Sequence, residues 1–467
     1  MKPIYQRVTA PIVFALAIGM CAAGAACTAP DAGSDTQDVI QTAPPDDDPY
    51  FIDDDTLGVD FEHSPSGSYA FDFCLEPGGE SQLNLKNAAW LAWMAANEYA
   101  HLGYIAPALS TLGFGNDGAG DLLWVKCAKD LRQVRDFEKQ HAEELRAEFE
   151  KGPESFLDFL DYYTDDGAFE QRWGTCAVNW FENGGYDGTR YPAAAFEEFL
   201  IQTPQENQYI QFFSGGEFQM DEQHFEKGST QVMYARHGEL PVAIVSFRGT
   251  EPDKWQDITT DADFWRIRLE DEGWPDDWGK MHRGFYGAFE SIADDRLMAK
   301  IEQLQGTGVQ IWLTGHSLGG ALATVMAARI MKDMEAGADY ELAGLYTFGS
   351  PRVGNTDFRE EFEDTADDLG VKVVRFRNGK DVVTTVPKFL WYRHVGTVTY
   401  IDEDGLEYDD EPGFGFSVSA ADHSMTGYGD NWEPATGYYR RILEHMNDAR
   451  YDEYDVCGAG SDSGDTK

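Results

Sequence analysis

The sequence predicts an α/β fold, a mostly parallel central sheet with helices on both faces, plus an inserted helical segment. Three observations point to it. From residue 231 onward, apolar runs of strand length alternate with amphipathic helical stretches, the pattern of repeated strand–helix units. The pentapeptide Gly315-His316-Ser317-Leu318-Gly319 joins one such run (309–313) to a small-residue helical run (321–331), the context of a sharp strand-to-helix turn. Between about residues 102 and 220, helical periodicity continues without any chemical motif. That stretch reads as a helical insertion or cap.

Taken in order, residues 87–101 (NAAWLAWMAANEYAH) combine helix formers with apolar residues at three- and four-residue spacing. Leu131, Val134, Phe137, Leu145 and Phe149 then share one face of a charged helix, with a second helix near 156–163. Residues 231–234 and 241–247 read as two adjacent strands. After them come a helix (288–303), a strand (309–313), a helix (321–332), a strand (342–348) and a helix (358–369). Strands at 371–376 and 394–401 and a closing helix at 435–446 complete the alternation. Asp402-Glu403-Asp404-Gly405 resembles a calcium loop only superficially, because it lacks the third alternate ligand and the distal Glu. It is read as a hairpin turn between 397–401 and 406–408. No internal repeat is visible.

The 467 residues carry 83 acids against 36 bases, a net charge of −47. Such a chain does not attract nucleic acid or anionic phospholipid surfaces electrostatically. The charge reads as a heavily solvated acidic surface. Residues 1–26 read as a secretory signal: Lys2 and Arg7 precede an apolar stretch at 8–23. Gly24-Ala25-Ala26-Cys27 then resembles a bacterial lipobox, with Gly24 standing where a Leu-like residue is usual. A lipid anchor at Cys27 is expected, with ordinary cleavage at a small-residue site as the competing outcome. Residues 27–60 form an acidic tether, 61–450 the main domain and 451–467 a tail. Cys74, Cys127, Cys176 and Cys457 are too dispersed for zinc or a redox pair. In an exported chain they imply two disulfides, for which three connectivities are open.

A serine hydroxyl becomes a nucleophile only beside a base, and that base needs an acid to fix its tautomer. In folds with this strand–turn–helix serine, the chain order is Ser, then Asp, then His. Asp381 follows the predicted strand 371–376 in the loop Arg377-Asn378-Gly379-Lys380-Asp381. Three histidines come later: His445 lies within a helix, His394 opens a predicted strand, and His423 sits in a loop. His423 is therefore the better base and His394 the alternative. An oxyanion hole requires two N–H donors. Leu318 supplies one, and Thr250, after the apolar run 241–247, is placed for the other. His316 and His282 are read as packing and hydrogen-bonding groups, and Trp274 and Trp278 as core or hinge residues.

The motifs FRGT (247–250), HRGFYGAF (282–289), TGHSLGGALA (314–323), TFGSPRVGN (347–355), the stretch 381–387, HVG (394–396) and DHSMTGY (422–428) together resemble the class 3, fungal-lipase-like branch of α/β-hydrolases. The resemblance covers roughly residues 231–428, with 87–99 similar to the family's N-terminal helix. It implies an α/β-hydrolase fold and a carboxylic ester hydrolase acting on acylglycerols or other lipid esters. Ser317 would be the nucleophile, Asp381 the orienting acid, His423 the base, and Thr250 and Leu318 the oxyanion donors. No metal or organic cofactor is implied. The resemblance also implies a lid after Thr250, here 251–264, containing Trp255, Asp257 and Phe264. Trp255 and Asp257 stand one residue closer than the usual W-x-x-D spacing, and the segment is crowded with acids. So polar a lid shifts the expectation toward soluble or dispersed esters. A phospholipase, an aryl-esterase or an acyltransferase on the same scaffold, and a non-catalytic surface protein, remain the alternatives.

Overall fold

The computed structural model describes residues 64–457 apart from 67–69, 78–81, 98–101, 116–118, 154–155, 158–159, 161–172, 183–185, 187, 189–190, 203–208, 220–223, 250–265, 294, 388–390, 410–418, 420, 426–436 and 456. The signal and tether (1–26 and 27–60, with Cys27), Thr250, and the lid residues Trp255, Asp257 and Phe264 lie outside the described residues.

Helix α1 (Leu85–Asn97) is followed by α2 (Leu102–Thr111), α3 (Ala119–Gln140), α4 (Ala142–Phe149), α5 (Thr175–Trp180) and α6 (Pro192–Gln202). Strands β1 (Ile210–Gln219), β2 (His224–Arg236) and β3 (Val242–Phe247) come next, then a two-stranded ribbon of β4 (Arg266–Arg268) and β5 (Lys280–His282). The remaining order is α7 (Arg283–Ile292), α8 (Asp295–Glu302), β6 (Gln310–His316), α9 (Leu318–Glu335), β7 (Glu341–Phe348), α10 (Thr356–Leu369), β8 (Lys372–Asn378), β9 (Thr397–Ile401), β10 (Leu406–Tyr408) and α11 (Tyr438–Met446). The main sheet runs β1-β2-β3-β6-β7-β8-β9-β10. From β3 to β9 each pairing is parallel, while β1, β2 and β10 are antiparallel additions at the two edges.

Every residue of β3 is buried, as expected of a strand covered on both faces. Its period-two alternation sorts side chains between two cores. Val242 and Ile244, with Trp312 of β6 and Tyr346 of β7, join α1 and the helices that follow it. Ala243, Val245 and Phe247, with Ile311 and Leu313, join α7, α8 and α9. Helix α1 is apolar around nearly its whole circumference, and all its residues but Lys86 are buried. A helix patterned that way belongs between layers. Residues from α2 to α6 continue the same core outward, and Arg135 of α3 pairs with Glu197 of α6 at 2.8 Å.

Three sequence expectations need correction. The helical segment does not run to residue 220: helix ends at Gln202, and Ile210–Gln219 is strand β1, paired with β2. Gly215 and Gly216 suit a bulged edge strand, where the register shifts, and not a helix. The single helix foreseen over 288–303 is two, α7 and α8, broken at Ala293 (ψ 38°). His394 precedes β9 instead of opening it, because Gly396 (φ 78°) turns the chain where a Cβ would lie 2.4 Å from Val373 Cγ1. The reading of 402–405 as a turn matches the structure, since Asp402 Oδ1 accepts from the Asp404 and Gly405 amides between β9 and β10.

Two disulfides resolve the open connectivity. Cys74 bonds Cys457, and Cys127 of α3 bonds Cys176 of α5. Such bonds are consistent with an oxidising compartment. The second closes a loop with a sequence separation of 49. The double variant Cys127→Ser/Cys176→Ser should lose about 2–4 kcal/mol of unfolding free energy, since the open chain regains loop entropy. Denaturant titration measures this; an unchanged midpoint would mean the bond contributes nothing to the fold.

Candidate active site

Ser317 stands between β6 and α9 with φ 57° and ψ −129°. A positive φ is unusual for a residue with a side chain. Here close packing enforces it. A Cβ at Gly319 would lie 2.0 Å from the Phe247 carbonyl oxygen, and one at Gly315 would lie 2.4 Å from the Gly319 carbonyl. Both flanking positions therefore exclude any side chain, and the start of α9 presses against the end of β3. The Ser317 amide donates to the Phe348 carbonyl at 2.9 Å, tying the turn to β7. Leu318 is the first residue of α9, so its N–H belongs to the positive end of the helix dipole.

Asp381 follows β8 and is fully buried. Its Oδ2 accepts from His423 Nδ1 at 2.9 Å and from the Tyr438 hydroxyl at 2.5 Å, and its Oδ1 accepts from the Val383 amide at 2.8 Å. Tyr438 itself accepts from the Asn378 amide at 3.0 Å, so its proton is directed to Asp381. Burial and the Asp381 charge hold the Tyr438 phenol well above its ordinary range, which keeps it a donor. All three partners donate, so the carboxylate meets them only as an acceptor. His423 then carries its proton on Nδ1, leaving Nε2 as the lone-pair nitrogen.

The serine turn and the Asp–His pair are neighbours. The His316 and His423 rings lie 4.4 Å apart, and His316 Nε2 donates to the His423 carbonyl at 2.6 Å. Gly349, next to the Ser317-bound Phe348, is closely bordered by both Asp381 Oδ2 and the His423 ring. The Ser317 turn thus lies beside the hydrogen-bonded Asp381–His423 pair. The structure sets the other histidines elsewhere. His394 Nε2 donates to the Thr384 carbonyl at 2.8 Å and steadies the turn after Asp381. His445 faces the Asp402 carbonyl, and His282 caps α7 by accepting from the Phe285 amide. Trp278 and Trp274 are buried in the core beneath β5. Burial lowers His316 and His394 well below the ordinary imidazole range, with His423 adding to the effect on His316, and Arg375 and Arg352 adding to it on His394.

Sequence reasoning missed Tyr438, Asn378 and Arg441. Arg441 Nη1 donates to Asn378 Oδ1, and Asn378 Nδ2 donates to the Asp422 carbonyl at 2.8 Å. The available signal was polar residues on the buried face of the closing helix: Tyr438 and Arg441 are separated by three positions and both are buried.

The residues 244–391 match the family described as Lipase (class 3). Over that stretch, which holds Ser317 and Asp381 but ends before His423, the chain resembles class 3 lipases. A phospholipase A1-II 1 of Oryza sativa subsp. indica is 44% identical over 106 residues, 22% of this chain and 25% of that one. A secreted mono- and diacylglycerol lipase 1 of Fusarium solani is 36% identical over 131 residues, 28% of this chain and 36% of that one. The chain spans only a quarter to a half of the length of the curated relatives it matches. Among solved structures, a Rhizomucor miehei lipase propeptide complex aligns with 43% of this chain and 60% of that chain, at 22% identity and a TM-score of 0.33.

The substitution Gly319→Ala should destabilise the fold by about 3 kcal/mol or prevent soluble expression, because backbone must move to admit the methyl. Thermal and denaturant unfolding would register it, and a neutral result would contradict the close approach of α9 to β3. His394 gives a pH test. Its folded-state affinity for protons is lowered, so below about pH 6.5 the unfolded chain binds a proton that the folded chain refuses. Its contribution to stability is therefore present above pH 6.5 and lost as pH falls. Replacing it by Asn, which still donates to Thr384, should reduce the acid slope of stability by up to one proton, about 1.4 kcal/mol per pH unit. Unfolding titrations at pH 5 to 7.5 measure that slope.

Proposed function

We propose that this class 3 lipase-like chain is a serine carboxylic ester hydrolase acting on acylglycerols or other lipid esters. The observation that carries the reading is the buried His423–Asp381 hydrogen bond set against the positive-φ serine turn. In this reading Ser317 Oγ attacks the ester carbonyl while His423 Nε2 takes its proton. The Leu318 amide and Thr250 stabilise the oxyanion. Collapse of the tetrahedral intermediate expels the alcohol, which receives its proton from His423. Water, deprotonated by His423, then attacks the acyl-serine, and His423 returns that proton to Ser317 Oγ as the C–O bond to the serine breaks and the acid leaves. Asp381 holds the imidazole in the required tautomer and stabilises its cation throughout. The chemistry uses no metal or organic cofactor.

The relatives named above include a phospholipase and an acylglycerol lipase, each matched over a minority of its length. The net charge of −47 favours neutral esters over anionic phospholipids. The acidic lid segment with Trp255, Asp257 and Phe264 favours dispersed over interfacial substrate. The leader and Cys27 support export with a lipid anchor in a bacterial envelope, and the two disulfides agree with an oxidising destination.

Wild type and Ser317→Ala should be compared on p-nitrophenyl esters from acetate to palmitate, below and above the solubility limit. Wild-type turnover that falls by about a thousandfold or more in the variant is the expected outcome. A rate jump above the solubility limit would refute the lid reading. Absence of Ser317-dependent turnover on every ester would turn the proposal toward a non-catalytic protein.

A further inference from the structure

We propose that Arg441, on the C-terminal helix, is a positioning residue for His423 that acts through the side-chain amide of Asn378. The inference builds on the catalytic roles proposed above, but its geometry stands apart from them. A primary amide has an accepting and a donating end of nearly equal shape, and nothing in its outline says which way it points. A guanidinium has donors only. By donating to Asn378 Oδ1, Arg441 fixes that end as the oxygen. The opposite end is then an N–H, and it meets the carbonyl of Asp422, the residue immediately before His423, at 2.8 Å. With the amide reversed, an oxygen would face that carbonyl and push the loop away. Arg441 is 7% exposed and Asn378 is fully buried, so water competes poorly for either group.

Two more contacts place the same clamp at the junction of acid and base. The Lys380 amide, one residue before Asp381, donates to Asp422 Oδ2 at 2.8 Å. Asp422 Oδ2 and Arg441 Nη1 both border Gly379, where a Cβ would lie 2.6 and 3.4 Å from them. Gly379 has φ 47°, and its lack of a side chain lets the two charged groups close over the loop. The loop that bears His423 is thus held on the Asp381 loop through Asp422, and the amide that secures it is oriented from α11. One helix turn away, Tyr438 of the same helix face holds the Asp381 carboxylate directly. Helix α11 braces both partners of the His423–Asp381 hydrogen bond, and Arg441 supplies the brace on the base side.

The test reads that hydrogen bond without requiring turnover. The His423 Nδ1 proton shared with Asp381 should give a far-downfield NMR resonance, assigned by its loss in His423→Gln. In Arg441→Met the resonance should vanish into exchange with water while the protein still melts cooperatively, and Arg441→Lys should restore part of it. Asn378→Asp keeps an acceptor for Arg441 but has no donor for Asp422, so it should lose the resonance too. If Arg441→Met does not fold, Asn378→Asp decides. On a p-nitrophenyl ester, kcat should fall on the order of a hundredfold in Arg441→Met with KM little changed, the signature of a displaced catalytic group. An unaltered resonance in Arg441→Met or Asn378→Asp overturns the proposal. A resonance that responds as expected in a protein without Ser317-dependent turnover would instead overturn the esterase reading and leave the positioning role standing.

Discussion

Helix α9 begins so close to the end of β3 that the α-carbon of Gly319 lies against the Phe247 carbonyl, and much of the site follows from that contact. If the helix started farther out, the chain could leave β6 through an ordinary loop, and Ser317 would have no reason to adopt φ 57°. Because it starts so near, the turn is compressed to a single residue. The serine is then delivered at a strand end, where β7 and β8 also terminate in the loops that carry Gly349 and Asp381. Strained backbone persists only where its surroundings over-determine it. Here a parallel sheet buried on both faces supplies that rigidity, with Phe247, Gly315 and Phe348 in fixed register.

The same logic explains what could be read from the sequence. Gly315 and Gly319 are legible because a tight turn leaves no choice of residue at those places, and the choice is written locally. Ser317, Asp381 and His423 were ordered by their succession along the chain and by elimination, which needs no three-dimensional knowledge. Parallel strands such as Val242–Phe247 are legible because burial on both sides demands an uninterrupted apolar run. Tyr438 and Arg441 were not. On a helix sequence, a buried tyrosine and arginine look like the polar side of an amphipathic surface, and only the fold reveals that carboxylate and amide partners await them. Strand β1 was lost among helices because an edge strand with two glycines carries little periodicity. The cysteine pairing could not be read at all, since spacing along the chain says nothing about which sulfurs meet.

Polar groups within the site are arranged so that each fixes the chemical state of the next. Asn378 lends its amide proton to Tyr438, which must then give its own to Asp381. Asp381, supplied with donors, remains an acceptor and settles the tautomer of His423. His316, whose burial keeps it neutral, donates to the His423 backbone while its ring lies tilted against the His423 ring. Networks of this kind are costly when any member is unsatisfied and rigid when none is. That trade suits a site whose parts come from four separated chain segments.

The bond between Cys74 and Cys457 joins points 383 residues apart along the chain. Everything between them, including the sheet and all the residues of the site, is a covalent ring. The segments that lead away from the ring depart from adjacent points, because the two α-carbons are 5.7 Å apart. Tension drawn between the two ends of the polypeptide would therefore pass across one sulfur–sulfur link and leave the strands unloaded. A single cut in a loop of the ring would open it without releasing a fragment.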